Sequence, residues 1–248
     1  MLYIKYHMHH KMKLHQQFIW RAQDMVVRKV LLREIMDAVK LDGLYMEFGV
    51  WVGNTINHIA QLNPTKTIYG FDWWEGLPED WPLKNGQVIP KGAYSNNSNL
   101  PVVEPNVQLV SGLFEDSLPV WVKEHSGKVA AFIHVDCDLY SSTKTVLHHL
   151  GPLIAAGTVI TFDEYSFGES KAFEEWLETS ALIAYVFYQN EKQASFIMGT
   201  ADNPPATIVP TWSVNPEIKS ETYVEKPWTD KTEDARVMPN TGHPIRRW

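Results

Sequence analysis

Residues 44–55, Leu44-Tyr45-Met46-Glu47-Phe48-Gly49-Val50-Trp51-Val52-Gly53-Asn54-Thr55, decide the fold. The apolar run Leu44–Val50 reads as a buried strand. It breaks at Gly49 and Gly53, and a short helix is expected at once over Thr55–Gln61. Strand, glycine turn and helix in that order open a parallel βαβ unit. Glycines at the turn let the backbone approach a ligand closely, and the helix start offers amides to a carboxylate or other electron-rich group. The alternative is a glycine turn with no ligand, and the rest of the chain must decide between the two.

Working outward, apolar runs alternate with helical stretches from Leu44 to Thr200. Parallel strands are expected at Leu44–Val50, Thr67–Phe71, Val107–Ser111, Ala130–Val135 and Thr158–Phe162. Two more, Ala184–Tyr188 and Ala194–Gly199, flank the polar gap Gln189-Asn190-Glu191-Lys192 and should pair antiparallel. Helices are expected at Gln23–Val39, Ser141–Ile154 and Ser170–Glu178. The fold class is therefore α/β: a Rossmann-like, seven-stranded, mostly parallel sheet ending in an antiparallel hairpin, with helices on both faces. A two-halved dinucleotide-binding fold would not end this way. Three regions follow: an N-terminal helical segment or lid (1–41), the sheet domain (42–200) and an irregular tail (201–248). The long connection from Trp73 to Asn106 is rich in Pro, Gly, Asn and Ser, as lids and binding loops are.

Composition narrows the partners. Among 248 residues, 44% are hydrophobic and 21% charged, and the net charge is −7, which speaks against a nucleic-acid backbone as main partner. A lone Cys137 allows no internal disulfide. No apolar run reaches a membrane span, and the first twenty residues interleave His and Lys with apolar residues rather than forming a signal-peptide core. A cytoplasmic protein is the expectation, with a homo-oligomer left open.

The ends of the expected strands carry the chemistry. Asp72 closes the second strand, where an acid accepts the hydroxyls of a nucleoside ribose. A helix cap or turn acid is the plain alternative. After the third strand, the loop Ser111–Pro119 sets Gly112 and Phe114 where they would meet an adenine. The fourth strand runs out through His134-Val135-Asp136-Cys137-Asp138, and alternation puts both aspartates on one side and Cys137 on the other. The fifth ends in Asp163-Glu164-Tyr165. Adjacent strands lie about 4.8 Å apart, so these four carboxylates converge and would repel unless a cation intervened. Hard oxygen ligands suit Mg²⁺, Ca²⁺ or Mn²⁺ better than Zn²⁺. The plain alternative is that they cap helices and face water. His134 shares the strand face of Asp136 and is either a substrate contact or a buried histidine, and Cys137 is expected to pack as a small hydrophobe.

Taken together, these segments resemble the macrocin O-methyltransferase family. The likeness rests on Glu47-Phe48-Gly49-Val50-Trp51 with Gly53, Phe71-Asp72 with Glu75-Gly76-Leu77-Pro78, and Leu113–Pro119. Asp136 to Thr143, Phe162-Asp163-Glu164-Tyr165 and Lys171-Ala172-Phe173 complete it, over roughly residues 42–200. The resemblance implies a class I methyltransferase that binds S-adenosylmethionine and moves its methyl group to a hydroxyl of a small molecule, a sugar or another diol-bearing natural product. It implies that Glu47, Gly49, Gly53 and Thr55, with Val50 and Asn54 in the same turn, line the methionine end, and that Asp72 meets the ribose. It further implies Mg²⁺ or another divalent cation held by Asp136 or Asp138 together with Asp163 and Glu164. Asp136 is then ligand and base in one, with His134 the second candidate base. Two departures stand out: Asp163-Glu164-Tyr165 replaces the family's Asp-Asp-Tyr, and the stretch between Asp72 and Val107 is short of a helix. Competing readings are a metal-dependent nucleotide-sugar glycosyltransferase, which leaves the glycine turn and the hairpin unexplained, and a non-catalytic adenosylmethionine-binding protein. A nicotinamide dehydrogenase lacks its Gly-x-Gly-x-x-Gly after the first strand.

Overall fold

A computed structural model describes residues 12–14, 19–20, 25–190 and 192–205. Strands β1 (Met12–Leu14) and β2 (Ile19–Trp20) and helix α1 (Met25–Ala38) precede the glycine turn. Then come β3 (Leu44–Phe48), α2 (Asn54–Leu62) and β4 (Ile68–Asp72), followed by a small hairpin of β5 (Trp81–Pro82) and β6 (Val88–Ile89). The second half comprises β7 (Val107–Ser111), α3 (Phe114–Glu124), β8 (Ala130–Val135), α4 (Tyr140–Leu150), β9 (Val159–Phe162), α5 (Ser170–Thr179), β10 (Ile183–Asn190) and β11 (Ala194–Gly199).

The seven expected strands form one sheet in the order β7-β4-β3-β8-β9-β11-β10. Pairs β7·β4, β4·β3, β3·β8 and β8·β9 are parallel, while β11 runs antiparallel to both β9 and β10. The fold class read from the sequence is thus borne out, down to the terminal hairpin. Chain order reverses direction at β3, so the carboxyl ends of β3 and β8 open a crevice on either side of which helices begin. Two short additions were not foreseen: β1 and β2 both lie parallel on β10, at the sheet's edge.

Residues of β3, β8, β9 and β11 are buried throughout, as central strands covered on both faces must be. Phe48, Val135, Phe162 and Phe196 enter the main core with Val146, Leu150 and Phe173. The alternate residues Glu47, His134, Thr161 and Ser195 stand in register across four neighbouring strands, and all are buried. A polar row therefore crosses the sheet's other face, with Thr161 and Ser195 hydroxyls 3.0 Å apart.

One expected loop is a helix. The segment after β7 winds up at Phe114, and Pro119 hides this from a propensity reading because it forfeits the amide that would bond the Glu115 carbonyl. Glu115 and Asp116 in the first turn favour the helix dipole, and buried Leu118 and Trp121 dock it on the sheet. The stretch between β4 and β7 stays irregular, as expected, apart from the two-residue strands of its hairpin. Most of the expected tail, from residue 206 on, lies outside the described residues, as does the start of the N-terminal segment. Among the described residues no helix is long and apolar enough to cross a membrane.

Candidate functional site

The glycine turn sits against the end of β8. The Gly49 amide donates to the Phe71 carbonyl at 3.0 Å, and the Asp136 amide donates to the Phe48 carbonyl at 2.8 Å. Between those two bonds a Cβ on Gly49 would lie 1.9 Å from the Asp136 carbonyl oxygen, and φ is +90°. No side chain fits there, so glycine is required by close approach and by dihedral at once. Gly53, at φ +83°, forms the N-terminal cap position of α2, which exposes Asn54 and half-exposes Thr55 at the helix start.

Asp72 organises this turn. Its Oδ2 accepts the Val50 and Trp51 amides at 2.9 and 2.8 Å, and its Oδ1 accepts the Trp74 amide at 2.8 Å. A carboxylate has about four acceptor positions, and three face the protein's own backbone here. Trp51 and Trp74 are held at positive φ (+48° and +57°), and the buried Trp74 indole donates to the Trp51 carbonyl at 2.9 Å. Backbone strain of this kind persists only where surrounding bonds enforce it. The Gly112 amide reaches the Asp72 carbonyl at 3.0 Å, and Phe114 meets Phe48 edge-on with ring centres 5.7 Å apart. So Gly112 and Phe114 flank the same crevice, with Phe114 partly committed to the core.

Under the turn lies a buried ionisable pair. His134 Nδ1 is 3.0 Å from Glu47 Oε1, with both side chains at most 2% exposed. Burial pushes the Glu47 carboxyl above its usual range, against the pull of His134. Burial draws the His134 imidazole down, but the Glu47 hydrogen bond and charge, with Asp136 and Asp163 beyond, leave it above its ordinary value. Both shifts run toward retention of a proton by the pair. Glu47 Oε2 has no hydrogen-bond partner despite burial. An orphaned carboxylate oxygen so close to the glycine turn is matched to a cationic or N–H-bearing ligand.

The acids expected at the ends of β8 and β9 follow those strands, without three of their oxygens meeting at one point. Asp136 and Asp138 are half-buried, Asp163 is 3% exposed, and Glu164 is half-buried with Lys192 Nζ 4.0 Å from its Oε1. Asp138 adopts φ +62°, so the strand's alternation ends before it. Gln193 from the hairpin donates to Asp163 Oδ1 at 2.5 Å. Cys137 packs in the core, and burial raises its thiol further from ionisation, with Glu169, Asp138 and Asp136 adding to the effect. Glu47, His134 and Asp136 bring ligand atoms within 4.8 Å of one another, a trio that takes in Asp136 and His134 but not the other three acids.

Sequence reasoning passed over three contributors. Glu169, fully buried, accepts the Glu164 amide at 3.0 Å through Oε2 and leaves Oε1 without a partner. In the sequence it reads only as the residue before a helix. Tyr94, at φ +61°, meets Trp51 edge-on at 5.8 Å between ring centres. Burial, then the charges of Asp138, Glu164 and Asp136, hold its phenol protonated. The loop carrying it is bolted by Leu77 and Gly92 amides to the Ala93 and Leu77 carbonyls, both at 2.8 Å. Gln193 is the third, and only the hairpin's return beside β9 reveals it. The donor types are compatible with a hard divalent cation: carboxylate oxygens, two of them orphaned in the interior, and one imidazole in the clustered trio.

Residues 46–165 match the family model described as a methyltransferase domain. A curated relative, the 8-demethyl-8-(2,3-dimethoxy-alpha-L-rhamnosyl)-tetracenomycin-C 4'-O-methyltransferase of Streptomyces olivaceus, is 26% identical over 157 residues, covering 54% of this chain and 59% of its own length. Among solved structures, the calicheamicin methyltransferase CalS11 superposes with a TM-score of 0.55 at 20% identity, over 69% of this chain and 79% of its own. The O-methyltransferase NovP gives 0.53 at 20% identity, over 71% and 82%. The structural likenesses establish the fold, and the methyltransferase resemblance of the sequence is borne out.

Proposed function

From the methyltransferase domain at residues 46–165, we propose that the chain is an S-adenosylmethionine-dependent O-methyltransferase whose acceptor is a small molecule bearing a sugar or other vicinal diol. The observation that carries the reading is Glu47 Oε2, buried and unpartnered two residues before Gly49, whose turn lies so close to Asp136 that a Cβ there would fall 1.9 Å from its carbonyl oxygen. A buried acceptor there suits the ammonium of the cofactor's methionine end, while the α2 start suits its carboxylate. His134 holds the other Glu47 oxygen and so fixes the carboxylate's direction. Asp72 keeps one acceptor position for the ribose while it shapes the turn. The name of the Streptomyces relative, a 4'-O-methyltransferase of a rhamnosyl compound, supports a sugar-like acceptor.

Methyl transfer from a sulfonium needs an in-line oxygen and exclusion of water. Trp51 and Tyr94, packed edge to face beside the glycine turn, would serve that exclusion. Asp136, half-buried just after β8, is the base in this reading and takes the acceptor's proton. Asp136, Asp138, Asp163 and Glu164 would hold Mg²⁺ or another divalent cation, which when bound supplies charge that lowers a hydroxyl's pKa and orients a diol.

Calorimetric titration with adenosylhomocysteine tests the cofactor half of this reading on wild type and Glu47→Gln. Wild-type affinity of micromolar order, about −8 kcal/mol, with a loss of at least about tenfold in the variant, is expected. Absence of binding in the wild type refutes it. Transfer of labelled methyl from adenosylmethionine to a panel of rhamnosyl and catechol acceptors then tests the acceptor class.

A further inference from the structure

We propose that Glu169 is an additional carboxylate of the divalent-cation site, holding Glu164 through one oxygen and presenting the other to the cation or to a water bound on it. The inference rests on the cation part of the function proposed above. Glu169 closes the π-helical turn Tyr165–Glu169 that links β9 to α5. Such widened turns cluster at functional sites because they re-aim side chains that a regular helix would point elsewhere. Here the turn directs the side chain inward, where it is fully buried.

Its two oxygens have different fates. Oε2 accepts the Glu164 amide at 3.0 Å and so pins the backbone of a proposed cation ligand. Oε1 is buried with no partner, which native structures avoid unless a ligand or ion completes the bond. The segment is also fixed in place. A Cβ on Gly168 would fall 2.8 Å from the Tyr140 amide nitrogen, so the turn lies flat against the start of α4. Asp136, Asp138 and Asp163 are the charges that act on Glu169, in that order of effect after burial itself. A carboxylate so buried, with one oxygen unpartnered and three further acids acting on it, is the group whose burial a bound cation would relieve. Glu169 also offsets the departure at Glu164: a longer ligand side chain gains a second anchor on its own main chain.

The test counts bound Mn²⁺ by electron paramagnetic resonance on the full chain, for wild type, Glu169→Gln and Glu169→Asp, alongside calorimetry with adenosylhomocysteine. Glutamine keeps the bond from the Glu164 amide and removes the charge. Glu169→Gln is expected to weaken Mn²⁺ by about tenfold or more, with adenosylhomocysteine affinity unchanged within about twofold. Glu169→Asp, which keeps the charge, should fall between the two. Unchanged Mn²⁺ affinity in Glu169→Gln overturns the proposal alone. A parallel loss of Mn²⁺ and adenosylhomocysteine overturns it too, by assigning Glu169 to the integrity of the turn. No Mn²⁺ binding by the wild type removes the cation reading and this proposal with it. A smaller Mn²⁺-induced rise in unfolding temperature for Glu169→Gln than for wild type provides a second readout.

Discussion

Replacing Gly49 by alanine should do more damage than any other single methyl addition in the crevice. The new Cβ would lie 1.9 Å from the Asp136 carbonyl oxygen and 2.7 Å from its carbon, against the 3.4 Å at which ordinary contact begins. Neither partner can retreat freely, because the Gly49 amide is bonded to Phe71 and the Asp136 amide to Phe48. The left-handed dihedral of +90° adds its own cost of about 1–2 kcal/mol. Forcing a methyl into closed packing costs about 1–3 kcal/mol, and a backbone-on-backbone overlap belongs at the top of that range. The sum is about 3–5 kcal/mol, which lowers Tm by about 10 °C for a domain of this size. Gly86→Ala is the matched control. Gly86 has φ +83° and nothing within 4 Å of its would-be Cβ, so only the dihedral cost applies. Differential scanning fluorimetry on both variants therefore isolates the contact. Equal losses of Tm in the two would refute the close approach of the turn to β8, and with it the geometry of the proposed cofactor site.

Asp72→Asn should cost about 2–4 kcal/mol and weaken adenosylhomocysteine at least about tenfold, since an amide cannot accept from the Val50, Trp51 and Trp74 amides together; urea unfolding and calorimetry read the two effects, and a neutral outcome in both would remove Asp72 from the turn. Stability should fall as pH rises past 6.5, because folded His134 binds its proton more tightly than unfolded histidine does: its contribution is fully present below the unfolded pKa and is lost as pH climbs through the elevated folded one. His134→Gln should flatten that slope in urea titrations run between about pH 6 and about pH 8.5, and an unchanged slope would show that the pair does not retain its proton. Gln193→Leu removes the donor at 2.5 Å from the buried Asp163 carboxylate and should cost about 1–3 kcal/mol, measured by chemical denaturation, with no change in unfolding midpoint as the refuting result.

Periodicity alone determined most of this architecture. Strands buried on both faces are continuous apolar runs, and the runs at Leu44, Val107, Ala130 and Ala194 begin where the strands do. The glycines and terminal acids were legible because each serves a local need: Gly49 a positive φ, Asp72 the end of a strand. Helix α3 was hidden because Pro119 argues locally against a helix that packing of Leu118 and Trp121 enforces. Strands β1 and β2 escaped for the same kind of reason, since so short a strand is defined by the edge of β10 it borrows rather than by its own pattern. What only the tertiary structure decided is which polar atoms find partners. Glu169 reads as an ordinary acid in the sequence and Glu47 only as one member of a turn, yet each leaves one oxygen buried and unpaired. Burial and hydrogen-bond completion depend on residues up to 87 positions apart, as Glu47 and His134 are. No local window contains both ends of such a bond, so its chemistry exists only once the strands lie side by side.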